Sequence, residues 1–148
     1  MAEISRRRTI AASQQDVWDV LADFGALATW VDDADHSSIL RHGADGLLGT
    51  SRRVQMGRNA LVETITVADA PHTIGYDIVG LPSLAGRLNN RWTLRPSTGA
   101  TEVTLTSTVS PVGGPLGRIV AAAVSRVMAR KSDAMLDGLA RRLEDNHG

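Results

Sequence analysis

Between residues 36 and 110 the chain is written almost entirely in a two-residue period. The stretches HSSILRH, LLGTSRRVQM, NALVETITVAD, HTIGYDIVG, GRLNNRWTLRP and TEVTLTSTVSP read as six strands. Turn signals separate them: Asp45-Gly46, Gly57-Arg58-Asn59, Asp69-Ala70-Pro71, Gly80-Leu81-Pro82 and the run Pro96 to Gly99. Strands joined by links this short pair with their chain neighbours, so the pattern predicts an antiparallel meander. It leaves no room for crossover helices, which excludes a Rossmann or P-loop arrangement. The glycine-rich fingerprint is also missing: PVGGPLG at 111–117 is a strand-to-helix junction with no Lys-Ser/Thr pair behind it.

The flanks follow other periods. Residues 3–11 (EISRRRTIA) read as a strand whose triple Arg forms a solvated face and edge, with a phosphate site as the alternative. Ser13 and Asp16 have capping-box spacing, with Asp in place of the usual Glu or Gln. Val17, Leu21 and Phe24 then recur at helical spacing, with Trp18 beside them. A second short helix is expected over 25–32. Residues 115–144 read as one long helix with Pro115 near its start. Its stripe runs through Leu116, Ile119, Val120, Ala123, Val124, Val127, Ala134, Met135 and Leu139. Arg141 and Arg142 suit the helix dipole in the last turns, and the tail DNHG is expected to fray. The order is β-α-α-β6-α, an α+β fold. A seven-stranded antiparallel sheet has one apolar face to cover, and the long helix is the obvious cover. A curved sheet wrapped around a helix leaves a natural pocket for an apolar ligand.

Length and charge bound the rest. The 148 residues fit one domain, 1–148, with an ordered core over about 3–144. The 16 basic and 16 acidic residues cancel, which argues against nucleic acid as a partner. Fifteen of those 16 basic residues are Arg, which fits codon bias in a GC-rich bacterial genome. No apolar run is long enough for a transmembrane segment, and the opening residues lack the apolar stretch of a Sec signal. A cytoplasmic location is therefore expected. The chain has no Cys, so disulfides and thiolate chemistry are out. No GxSxG elbow anchors a hydrolase triad. The acidic run Asp32, Asp33, Asp35 beside His36 reads as a splayed loop, not a metal site, and no cofactor is expected. The size allows a monomer or a homodimer.

The order of elements resembles the START-like helix-grip superfamily, also called SRPBCC, and especially its polyketide cyclase/dehydrase group. Three pieces carry the likeness: DVWDVLADFGALATW after the first strand, the glycine-led strand at 49–54, and VETITVADAPHTIGYDIVGLP. It covers Ile4 to about Leu143. The resemblance implies a seven-stranded curved sheet wrapped around the C-terminal helix. It also implies a role drawn from carriers, receptors and aromatase/cyclases, which fold alone does not separate.

Alternation assigns the candidate cavity wall. Leu61, Glu63, Ile65 and Val67 share a face; so do Ile74, Tyr76 and Ile78, then Leu88, Asn90, Trp92 and Leu94, then Val103, Leu105, Ser107 and Val109. Glu63 is the exception on an apolar face, costly unless paired or wet. It either borders the cavity or sits beside an Arg such as Arg52 or Arg53. Lys131 projects into the helix stripe, where it pairs with Glu63, meets a ligand acid or snorkels outward. In the helix-grip arrangement Trp30 and His36 lie near the entrance. The expected cavity residues are Trp30, His36, Glu63, Tyr76, Asn90, Trp92, Ser107, Val124, Val127 and Lys131. Entrance movement is expected around 24–36 and 81–87. The leading expectation is binding or transport of a small hydrophobic molecule: a lipid, polyketide or aromatic. The alternatives are an aromatase/cyclase or dehydratase-like enzyme using Glu63, Tyr76, Asn90 and Lys131, and a regulatory protein-interaction module.

Overall fold

A computed structural model describes residues 2–80, 87–110 and 115–145. The expectations for Leu81 and Pro82, for the loop to residue 86, for the junction at 111–114 and for the last three residues lie outside that set. The elements run β1 (Ala2–Ile10), α1 (Gln14–Ala22), a 3-10 helix (Phe24–Thr29) and β2 (His36–Gly43). Then come β3 (Gly46–Met56), β4 (Asn59–Asp69), β5 (Thr73–Val79), β6 (Arg87–Ser97), β7 (Ala100–Ser110) and α2 (Pro115–Asp145). One antiparallel sheet holds all seven strands in the order β1-β7-β6-β5-β4-β3-β2. The meander accounts for β2 to β7, and β1 closes on β7 over its full length. This is the helix-grip architecture.

Local chemistry sets the element ends. The Ser13 side chain caps α1 by accepting from the Asp16 backbone N–H at 3.1 Å. The second helix is shorter than the sequence pattern suggests and has 3-10 geometry. Its residues Phe24 and Leu27, three apart, are both buried, the eclipsed spacing of a three-residue turn. Gly57 takes a positive φ of 60° in the β3–β4 turn, a conformation that favours glycine. At Gly138 a Cβ would collide with the Trp30 carbonyl oxygen, so only glycine lets α2 approach this close.

Strand alternation places the core. On β7, Thr101, Val103, Leu105, Ser107 and Val109 are all buried. On β4 the alternation weakens after Ile65, because a bulge shifts the β4–β5 register and leaves Val67 half-buried. The Arg run of β1 is not simply solvated: Arg6 pairs with Asp133 at 3.5 Å and Arg8 with Asp137, which ties the strand to α2. The apolar stripe of α2 is only half covered. Leu136, Leu139, Ala140 and Leu143 are buried, whereas Leu116, Ile119 and Val127 are exposed. The second half of the helix rests on the sheet, and the first half spans a gap.

Candidate functional site

That gap is a cavity of about 760 Å³ between the first half of α2 and the sheet. Its volume lies within the usual range for ligand pockets, roughly 300–1,000 Å³. Leu61, Ile78 and Leu88 supply apolar wall from β4, β5 and β6, and Val120, Val124 and Met128 supply it from α2. The exposed lining residues mark the open side of the cavity: Asp32 and Asp33, Gly57 and Asn59 of the β3–β4 turn, and Ala123, Val127 and Ala134 of α2. Lys131 stands at this rim with its ammonium 3.4 Å from Asp33. Both side chains are partly exposed, so Lys131 snorkels to the rim and is not the partner of Glu63.

Among the described residues, the polar groups of the interior wall are Glu63 and Asn90. Glu63 is buried, and its counter-ion is Arg52 on the adjacent strand. Arg52 Nε donates to Glu63 Oε1 at 2.7 Å, and Nη2 lies 2.6 Å from the same oxygen. Arg52 Nη1 donates to the Phe24 carbonyl at 2.9 Å. The guanidinium also lies 3.7 Å from the centroid of the Phe24 ring and 4.8 Å from that of Tyr76. Arg52 is thus held on every side, and it fixes Glu63. Asn90 sits two strands away. Its Oδ1 accepts from Ser107 Oγ at 2.6 Å, and its Nδ2 reaches the Tyr76 hydroxyl at 3.4 Å.

Five of the ten expected cavity residues come together here: Glu63, Asn90, Val124, Val127 and Lys131. Trp30, Tyr76, Trp92 and Ser107 do not line this cavity. The three aromatic residues belong to the packed end of the interior, where Trp30 meets Trp92 edge-on at 6.0 Å and Phe24 meets Tyr76 at 5.4 Å, whereas Ser107 is buried and donates to Asn90. A void of about 10 Å³ beside these rings is too small for a ligand. Trp92 Nε1 donates to the Tyr76 hydroxyl at 3.2 Å. Burial, then the negative charge of Glu63, pushes the Tyr76 pKa up; Arg52 and the hydrogen bonds from Trp92 and Asn90 oppose that rise. Tyr76 therefore stays a neutral phenol that positions Asn90. His36 is exposed on the edge strand β2, opposite Gln55, outside the cavity. The acidic run splits by role: Asp32 pairs with Arg141, Asp33 with Lys131, and Asp35 accepts from the Gly57 backbone.

Arg52 is the interior residue that sequence reading left as one of two options. The signal was present in the Gly57-Arg58 turn, which sets Met56 opposite Asn59. Counting four residues outward on each strand puts Arg52 directly across from Glu63, on the same inward face.

The comparisons agree with this geometry. The family described as polyketide cyclase / dehydrase and lipid transport matches residues 1–144. Among solved structures, the chain is similar to the Zhui aromatase/cyclase from Streptomyces sp. R1128, at 20% identity and a TM-score of 0.81, covering 99% of this chain and 96% of that one. A START superfamily protein from Mycobacterium smegmatis is 17% identical, with a TM-score of 0.77 and 97% of each chain covered. The Aha1 dimer from Colwellia psychrerythraea is 17% identical, with a TM-score of 0.73 and both chains fully covered. At these identities the likeness is one of fold. No curated protein gives a significant match. No helix among the described residues is long and apolar enough to cross a membrane.

Proposed function

Because this chain belongs to the polyketide cyclase/dehydrase and lipid transport family, we propose that it binds or carries a small hydrophobic molecule, of lipid, polyketide or aromatic type, inside the cavity under α2. One observation carries this reading: an interior space of about 760 Å³ walled by aliphatic side chains, with polar groups among the described residues confined to two interior positions and a rim. Transfer of an apolar body from water into such a space contributes about 25 cal/mol per Å² buried, and Glu63, Asn90 and Lys131 fix its orientation.

The test is uptake of a neutral fluorescent probe, N-phenyl-1-naphthylamine, by wild type and by Val124→Trp. Val124 faces the cavity from α2, so an indole there narrows the space without entering the packed end. The expected result is saturable uptake by wild type and markedly weaker uptake by the variant, with a melting temperature unchanged or raised. Absence of saturable uptake by wild type overturns the reading. Native mass spectrometry of protein purified from its own host then identifies the cargo.

A second reading, an aromatase/cyclase or dehydratase-like enzyme, draws support from Glu63: a buried carboxylate on a cavity wall is a candidate proton acceptor for enolisation of a folded poly-β-ketone. Of the four residues that sequence reading offered for catalysis, Glu63 and Asn90 face the interior space. Lys131 is at the rim and Tyr76 is behind Asn90. Ring closure or dehydration of a β-ketone substrate, lost in Glu63→Gln with retention of probe binding, is the result this reading expects.

A further inference from the structure

The ion pair in the wall is used unevenly. Both short contacts from Arg52 reach one oxygen of Glu63, Oε1, and the remaining guanidinium nitrogen is spent on the Phe24 carbonyl. The other carboxylate oxygen, Oε2, has no donor among the described residues and is open to the cavity. Glu63 is nevertheless more than nine-tenths buried, with a side-chain exposure of 4%, and it lines the cavity. Water in the cavity can solvate such an open oxygen, so a ligand that displaces the water without supplying a donor loses affinity, and the favoured ligand brings one.

The charge balance decides which donor fits. Arg52 already neutralises Glu63, so the pair adds no net charge to the wall. An anionic head placed against Oε2 meets like charge and offers no hydrogen. An ammonium head brings a buried cation with no counter-ion left for it. A neutral hydroxyl satisfies Oε2 at no cost in charge, and hydrogen bonds to ionised acceptors are the stronger kind. Lys131 is a cation on the cavity lining, but it stands at the rim, partly exposed and paired with Asp33, where it serves a group left outside.

Resting on the ligand-carrier reading above, we propose that Glu63 is the specificity-determining residue of the cavity: through Oε2 it accepts a hydrogen bond from a neutral hydroxyl, phenolic or enolic, on an otherwise apolar ligand, and it turns away ligands whose buried end is charged. Asn90, with one long bond to Tyr76, offers a second amide hydrogen to a ligand oxygen further along the same wall.

The test uses three probes with one body: 1-hydroxypyrene, 1-methoxypyrene and pyrene-1-carboxylate, titrated into wild-type protein at pH 7 and followed by fluorescence. The hydroxyl compound is expected to bind about tenfold or more tightly than its methyl ether, the gain of one hydrogen bond to a charged acceptor. The carboxylate is expected to bind weakest. Equal affinity of all three, weakened by Val124→Trp, overturns the selectivity of Glu63 and leaves the carrier reading standing. Tightest binding of the carboxylate overturns it too and assigns head-group recognition to Lys131. No binding of any of the three, together with no uptake of the neutral naphthylamine, removes the carrier reading and this inference with it. Because the series is read on wild type, it does not depend on whether a Glu63 variant folds.

Discussion

The two halves of α2 carry the same apolar stripe and meet different fates. From Ser132 onward the helix is anchored: Leu139 and Ala140 are fully buried, and Gly138 lets the backbone touch Trp30. Before Lys131 the stripe covers empty space, and Leu116 remains 76% exposed. The cause lies beneath the helix. The chain has only five aromatic residues, and all of them are buried away from the large cavity. Bulky rings fill one end of the sheet's hollow, and aliphatic side chains of modest size cannot fill the other. Scarcity and clustering of large side chains leave the volume open among the described residues.

Substitutions can break this contrast. The largest effect is expected from Arg52→Met, which strips a buried carboxylate of its counter-ion; urea unfolding should show a loss of about 3–5 kcal/mol. A loss below about 1 kcal/mol would show that Glu63 does not depend on this pair. Next, Leu139→Ala in the anchored half should cost about 2–5 kcal/mol by cavity formation, whereas Val127→Ala in the spanning half should stay within about 0.5 kcal/mol. Equal losses at the two positions would erase the distinction between the halves.

Tyr76→Phe sharpens the picture of the packed end. It removes the acceptor of Trp92 Nε1 and Asn90 Nδ2, at an expected cost of about 1–3 kcal/mol. It also tests a pH effect of known sign. The folded protein holds the Tyr76 proton above the ordinary value of 10.0, where the unfolded chain releases it. The native state then binds more protons, so stability present below that pH falls as pH rises through the alkaline range. The phenylalanine variant should show a flatter alkaline limb in denaturant titrations; an unchanged slope counts against Tyr76 as its source. The smallest effect is expected at the rim. Lys131→Met breaks a partly exposed pair with Asp33 and should cost no more than about 1 kcal/mol, less in high salt.

Periodicity alone determined the seven strands, the two α-helices, their order and the inward face of each strand from β4 to β7. Those features depend on side chains two or 3.6 residues apart, and both partners are visible in the chain. The Arg52–Glu63 pair was within reach for the same reason, since a tight turn converts sequence distance into register. Tertiary structure alone decided which half of α2 touches the sheet, that Trp30 and Trp92 meet edge-on at the closed end, and that Lys131 leans to Asp33 instead of Glu63. Each of these depends on sheet curvature and on groups some 60 to 100 residues apart meeting across a hollow. A one-dimensional pattern states which face a residue occupies; it does not state how much space remains once two faces have met.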